Sequence, residues 1–121
     1  MVYYREERGD IMPKKTRVYN KLVRDKVPEA IVENGDAYSH YVIDNHTDYL
    51  FALDEKLDEE LVEYQVTKDL NELADVLEVI HAIAEAKGAT FEELDAIRLA
   101  KRERRGGFTK KIILEAIHEE A

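Results

Sequence analysis

Five carboxylates at helical spacing, carried by two neighbouring apolar segments, constrain the fold of this chain more than any other feature. The first segment supplies three of them and the second segment two. The residues are Glu59, Glu60, Glu63, Glu72 and Asp75. Only eight residues, 64–71, separate the two groups. Because two helices with a short connection pack as antiparallel neighbours, the sequence predicts a helical hairpin that gathers these carboxylates in one acidic pocket.

Apolar periodicity predicts two long helices here. The first covers residues 47–65, where apolar side chains recur every three or four positions and form one stripe. The second begins at Lys68 or Asp69, runs to Lys87 and is stopped by Gly88. Apolar residues cover most of its circumference, so we expect this second helix to be central and buried.

Two shorter helices are expected on either side of this pair. One has Asp25 as its N-cap, Pro28 in its first turn and Asn34-Gly35 at its end. The other opens with the capping-box pattern of residues 90–93 and ends before Gly106.

The remaining segments complete an all-α domain. Residues 1–13 show no clear period and are expected to form an N-terminal arm, which leaves residues 14–121 as a single helical domain. Residues 38–43 are expected to be a short extended piece, and periodicity does not decide whether residues 108–121 are helical or extended. These short elements are too few to cover the apolar second helix. Dimerisation into a four-helix core would cover it, so we expect a homodimer or a higher homo-oligomer.

The composition restricts the metals that the carboxylates could bind. The chain has no cysteine, which excludes thiolate zinc sites, so a metal must be held by oxygen or imidazole. None of the four histidines is paired at ligand spacing. Oxygen ligands favour magnesium, with manganese as a second choice. No stretch has the apolar length of a membrane span or the pattern of a signal peptide, so a cytoplasmic protein is expected.

The distribution of charge favours a phosphate-bearing ligand. A net charge of -9 argues against general binding to nucleic acid. Residues 44–95 contain sixteen acidic residues and three lysines, whereas the segments on both sides are basic. An acidic centre between basic flanks suits a metal-bridged anion such as a polyphosphate. We therefore expect a small-molecule substrate and neither a nucleic-acid nor a membrane partner.

Position on the helix separates candidate ligands from ordinary surface acids. At about 100° per residue, Glu72 falls at the angle of Val79 and Ile83, inside the apolar sector of its helix. Burying an unpaired carboxylate costs several kcal/mol, so such a position requires a cation or strong hydrogen-bond donors nearby. A salt bridge from Glu72 to a lysine or arginine is the alternative explanation.

Carboxylates that arrive from two facing helices can hold magnesium while waters complete its shell. The ion would polarise a phosphoryl oxygen and make an attacking water more acidic. A spare carboxylate could orient that water or accept its proton. This chemistry is typical of phosphoryl or nucleotidyl hydrolysis.

Four sequence blocks in order carry a resemblance to a known family. They are YNKLVRDK at residues 19–26, EKLDEELVE at residues 55–63, ELADVLEVI at residues 72–80 and RGGF at residues 105–108. Together they closely resemble the phosphoribosyl-ATP pyrophosphohydrolase-like branch of the MazG-like all-α nucleoside triphosphate pyrophosphohydrolases. The resemblance extends from about residue 19 to about residue 114.

The resemblance implies an α-helical fold, oligomers and magnesium-dependent cleavage between the α and β phosphates, which gives a monophosphate and pyrophosphate. Glu59, Glu60, Glu63 and Asp75 match the metal-binding carboxylates of the family, and Glu72 matches the first acid of its second half-motif. The eight-residue separation is shorter than in typical MazG proteins, so the number of ions stays open. The substrate stays open as well, and a step of histidine biosynthesis on phosphoribosyl-ATP is one variant.

Four basic residues are candidates for binding phosphate, namely Lys21, Arg24, Arg104 and Arg105. The first two lie just before a helix, where they could reach the β and γ phosphates, or they could be ordinary solvated side chains. The two arginines precede a pair of glycines whose amides could approach a phosphate. In the alternative reading they only complement the dipole at a helix end.

The rival to an enzyme is a helical dimerisation or regulatory module that has the same fold and no catalytic activity. The apolar helices fit both hypotheses equally well. The response to magnesium and to nucleotides separates them.

Overall fold

The computed structural model describes residues 15–120, together with the strands Tyr3–Arg5 and Ile11–Pro13. The chain divides into two compact units, residues 1–40 and residues 41–121. The predicted division, with an arm over residues 1–13 and one domain over residues 14–121, stays a prediction. Apart from the two short strands, every regular element in the described part of the chain is a helix, which agrees with the predicted all-α class.

The first unit contains the strands and one short helix. The strands β1 (Tyr3–Arg5) and β2 (Ile11–Pro13) pair antiparallel, and the sequence did not predict them. Helix α1 spans Val27–Glu33 with a proline in its first turn and ends at Asn34, as expected. The predicted N-cap Asp25 was wrong, because Lys26 occupies that position and its side chain makes no capping hydrogen bond. Fixed proline geometry therefore sets the start of α1 without help from a cap.

The second unit is organised around two long helices that pack against each other. Helix α2 spans His46–Thr67 and begins at Asn45, whose side chain accepts a hydrogen bond from the backbone N–H of Asp48. Helix α3 spans Leu70–Ala86 and begins at Asp69, whose side chain accepts from the N–H of Asn71. Only Lys68 and Asp69 connect the two helices. Both predicted long helices are thus confirmed, and each boundary lies within two residues of its expected place.

The contact between α2 and α3 forms the apolar core of the second unit. The buried apolar residues in the described part of the chain are Leu53, Val76, Val79 and Ala84. As expected for a single chain, the other described elements leave part of the apolar surface of α3 uncovered, because Leu73 is 40% and Leu77 48% exposed. One neighbouring helix covers only one face of α3, so the remaining apolar side chains stay on the surface.

Helix α4 spans Phe91–Arg105, which confirms the helix predicted from the capping-box pattern of residues 90–93. Thr90 is its N-cap, and the Thr90 hydroxyl accepts from the N–H of Glu93 at 3.1 Å. The Phe91 ring stacks on the His81 ring of α3, with centroids 3.8 Å apart. Gly88, at a φ of +83°, ends α3 and turns the chain toward α4.

Two of the segments without regular structure are ones for which the sequence had suggested a conformation. Residues 36–44 include the expected extended piece, but no strand forms there, because no partner strand pairs with it among the described residues. Residues 106–120 are neither helix nor strand and are exposed, which answers the question that periodicity left open. Within the described part of the chain, no helix has the length and apolar character needed to cross a membrane.

The capping geometry of α4 gives a first testable prediction. Replacing Thr90 with alanine removes the acceptor for the Glu93 N–H, so the Thr90→Ala variant should lose about 1 kcal/mol of unfolding free energy. Urea unfolding followed by circular dichroism measures this change. The control is Thr109→Ala, in the exposed segment after α4, which should change stability by less than about 0.5 kcal/mol. Equal losses in both variants would contradict the capping role.

Candidate metal centre

Three carboxylates meet where α2 and α3 pack together. Glu60 belongs to α2, and Glu72 and Asp75 lie near the start of α3. One carboxylate oxygen from each residue lies within 4.8 Å of the other two. The two-residue connection brings them together, because it places the beginning of α3 beside the C-terminal half of α2.

Glu60 is the buried member of this cluster, with 7% of its surface exposed. One of its oxygens, Oε1, lies 3.3 Å from the Lys56 Nζ, one turn earlier in α2. The other, Oε2, is buried and has no hydrogen-bond partner in the described part of the chain. Burial raises the pKa of Glu60 above its ordinary value of 4.5. The contact with Lys56 opposes this rise, and the charges of Glu63 and Asp75 add to it.

Glu72 and Asp75 are partly exposed and reinforce the negative potential. The pKa of Glu72 is also raised above its ordinary value, by loss of solvent and by the charges of Glu63 and Asp75. A side-chain hydrogen bond with Asp75 contributes to the same shift. Within residues 15–120, Glu72 forms no ion pair with a lysine or arginine, so the salt-bridge explanation of its position is not supported.

The other two predicted carboxylates lie around the cluster. Glu63 is exposed on α2, and it is close enough for its charge to act on both Glu60 and Glu72. Glu59 is outside the three-residue cluster, and its Oε2 accepts a hydrogen bond from the Lys56 Nζ at 3.2 Å. The five acids are therefore not equivalent, because only three of them can meet at one ion without larger side-chain movement.

Lys56 is the residue of this site to which the sequence analysis assigned no role. Its side chain is only 15% exposed and contacts both Glu59 and Glu60. The signal was present in the sequence, because a lysine three and four residues before two glutamates can pair with both on a helix surface.

The four predicted phosphate-binding residues belong to both compact units. Lys21 and Arg24 belong to the first compact unit, and the Lys21 ammonium lies 5.6 Å from the centre of the Tyr19 ring. Arg104 and Arg105 are exposed in the last turn of α4, a position that complements the helix dipole. Contact between these four residues and a phosphate stays a prediction.

The geometry of the cluster fits a small divalent cation. Oxygens that bind one magnesium ion lie about 3 Å apart when they are neighbours and about 4.2 Å apart when they lie on opposite sides of the ion. Oxygens within 4.8 Å of one another can reach these separations by side-chain rotation. The donors are all carboxylate oxygens, which suits magnesium or manganese. The buried Oε2 of Glu60, which has no hydrogen-bond partner among the described residues, is an independent indication of a cation site, because exposed acidic groups alone occur often without a cation.

Comparison of the chain with protein-family models, with curated proteins and with solved structures gives no match.

The raised pKa of Glu60 gives a prediction about stability and pH. The folded protein binds the Glu60 proton more tightly than the unfolded chain does, so ionisation of Glu60 destabilises the fold. Without metal, the Glu60→Gln variant should match the wild type near pH 4 and become the more stable of the two as the pH rises above about 4.5. Urea unfolding in EDTA at several pH values measures the difference. Glu78→Gln, at an exposed position of α3, is the control and should show no such trend.

Added magnesium should offset the destabilisation that ionised Glu60 causes in the wild type. At a magnesium concentration of 100 times the dissociation constant, binding should add about 2.7 kcal/mol to the free energy of unfolding. Glu60→Gln and Glu72→Gln should lose most of this gain, because each removes a charged ligand, whereas Glu78→Gln should keep it. Thermal unfolding across a magnesium titration measures the gain. An unchanged magnesium response in both cluster variants would rule out the site.

Proposed function

We propose that this chain is a magnesium-dependent nucleotide pyrophosphohydrolase. It cleaves between the α and β phosphates of a nucleoside triphosphate or a related metabolite and releases a monophosphate and pyrophosphate. The observation that carries the proposal is the buried, unpartnered Oε2 of Glu60 beside the carboxylates of Glu72 and Asp75. Such an arrangement is electrostatically unfavourable for a protein alone and becomes favourable when a divalent ion is bound.

Other features of the chain favour a phosphate-bearing substrate for such an ion. The ligands that the cluster offers are carboxylate oxygens, and an ion held by such hard ligands can keep positions open for phosphate and water. Basic residues are concentrated on both sides of the acidic centre. The resemblance of the YNKLVRDK, Glu-Glu-x-x-Glu, Glu-x-x-Asp and RGGF blocks to MazG-like pyrophosphohydrolases adds the α,β position of cleavage.

In this proposal Glu60, Glu72 and Asp75 hold the ion. When bound, magnesium polarises a phosphoryl oxygen and increases the acidity of a coordinated water. Glu63 is exposed beside the cluster, where it can orient the attacking water or accept its proton. Glu59 is engaged by Lys56 and supports the site from its edge.

We further propose that α2 and α3 form an antiparallel hairpin that pairs with a second copy. Large apolar side chains remain exposed on both helices, among them Leu61, Leu73 and Leu77. The described residues include four buried apolar side chains, which make a small core. Two hairpins that cover each other would form the four-helix core that the sequence predicts.

A substrate screen tests the catalytic proposal. Purified protein with magnesium is incubated with canonical and modified nucleoside triphosphates and with phosphoribosyl-ATP, and monophosphate, pyrophosphate and orthophosphate are measured separately. We expect equal amounts of monophosphate and pyrophosphate. Glu60→Gln should lower the rate by at least about 100-fold, because it removes a ligand of the ion, whereas Glu78→Gln should not. Orthophosphate as the product would contradict cleavage between the α and β phosphates.

The exposed apolar faces also favour the second candidate, a dimerisation or regulatory module without catalytic activity. Analytical ultracentrifugation and the magnesium titration separate the two. A stable dimer that hydrolyses no nucleotide, and whose unfolding does not respond to magnesium, would support the module and reject the enzyme.

A further inference from the structure

We propose that Lys56 is an internal counter-cation of the acidic cluster and sets the concentration of divalent ion that the site requires. This inference rests on the proposed metal site and assigns Lys56 a task within it. While no metal is bound, the Lys56 ammonium balances part of the negative charge of the carboxylates. When a metal ion binds to the cluster, the same ammonium repels it.

The contacts of Lys56 support this role. Its Nζ lies 3.2 Å from Glu59 Oε2 and 3.3 Å from Glu60 Oε1, so one ammonium joins two neighbouring carboxylates. All three residues belong to α2, so the arrangement exists within one helix. The Lys56 side chain is only 15% exposed, which weakens screening by water and makes its charge effective at short range.

Neutralisation by Lys56 is incomplete. Five carboxylates lie in or around the cluster, and the Lys56 ammonium contacts two of them, Glu59 and Glu60. Lys56 engages Oε1 of Glu60 and leaves Oε2 without a partner. Glu60 therefore connects two cation positions, because one oxygen contacts the ammonium and the other is available to a metal ion.

A metal ion on Glu60 would lie close to the Lys56 ammonium, and two cations that share one carboxylate repel each other. Removing the charge of Lys56 should therefore strengthen metal binding. If Lys56 only positioned Glu60, its removal would weaken metal binding, by roughly 10- to 100-fold for a residue that orients a ligand. The two roles thus predict changes of opposite sign.

Calorimetric titration with Mn²⁺ at constant ionic strength tests the proposal. Lys56→Met keeps the length of the side chain and removes its charge, so the affinity for Mn²⁺ should rise by roughly tenfold, which corresponds to about 1.4 kcal/mol. Lys56→Arg keeps the charge and should stay near the wild type. Arg98→Met breaks the exposed pair of Arg98 with Asp95 on α4 and should have no effect on Mn²⁺ affinity. Weaker or unchanged binding by Lys56→Met would overturn the proposal.

Thermal unfolding without metal provides a second readout. Lys56→Met should unfold at a lower temperature in EDTA than the wild type and gain more stability on adding Mn²⁺. If Lys56→Met does not fold, the double variant Lys56→Met with Glu59→Gln removes one charge of each sign. It should bind Mn²⁺ more tightly than Glu59→Gln alone, and equal or weaker binding would reject the role of Lys56.

The outcomes also separate this inference from the proposed catalysis. Tighter Mn²⁺ binding by Lys56→Met, in a protein that releases no pyrophosphate, would retain the counter-cation and reject the enzyme. Pyrophosphate release by the wild type, with weaker Mn²⁺ binding in Lys56→Met, would retain the enzyme and reject the counter-cation.

Discussion

A carboxylate buried in the contact between two helices is the constraint on which the second unit depends. Glu60 lies among the residues through which α2 and α3 form their core, so the packing that stabilises the helices also removes Glu60 from water. Lys56 compensates one oxygen, and Glu72 and Asp75 add further negative charge beside the other. Folding and cation binding are therefore linked, because the ion would relieve a cost that the fold itself creates.

The apolar surface of α2 and α3 also affects the repulsion among the carboxylates and their attraction for a metal ion. In the proposed dimer, a second copy would remove water from the surroundings of these helices and strengthen every electrostatic interaction near them. Repulsion among the carboxylates would grow, and so would their attraction for a divalent ion. Association of two chains and binding of metal would then favour each other, because association strengthens the attraction for the ion and the ion relieves the repulsion that association increases.

Local signals in the sequence predicted most of the second unit. Thr90 and Glu93 form the expected cap of α4, and Gly88 ends α3, because caps and stops depend on a few neighbouring residues. The N-cap of α1 was predicted at Asp25 but lies one residue later, at Lys26, because no side-chain cap marks the start of this helix. The segment after α4 stayed undecided because its apolar residues fit neither period well.

Three of the five predicted carboxylates lie together, but their relative burial was not predictable from the sequence. Helical spacing pointed to Glu72 as the acid most in need of a partner, whereas the structure buries Glu60 more deeply. An angle on a single helix shows which side chains share a face, but the depth of burial depends on how closely the neighbouring helix approaches. The burial of Lys56 was unpredictable for the same reason, because its low exposure to water becomes visible only in the packed helices.

The turn at Lys68 and Asp69 has a consequence for how such a sequence can change over time. Lys68 adopts a left-handed backbone conformation, with a φ of +58°. A connection of two residues is too short to compensate for an insertion or deletion nearby. One extra residue at the start of α3 would rotate the following side chains by about 100° and shift them by about 1.5 Å. Glu60 and Glu72 must therefore stay twelve residues apart in the sequence, and substitutions on the surface of either helix are easier to accommodate than any change in its length.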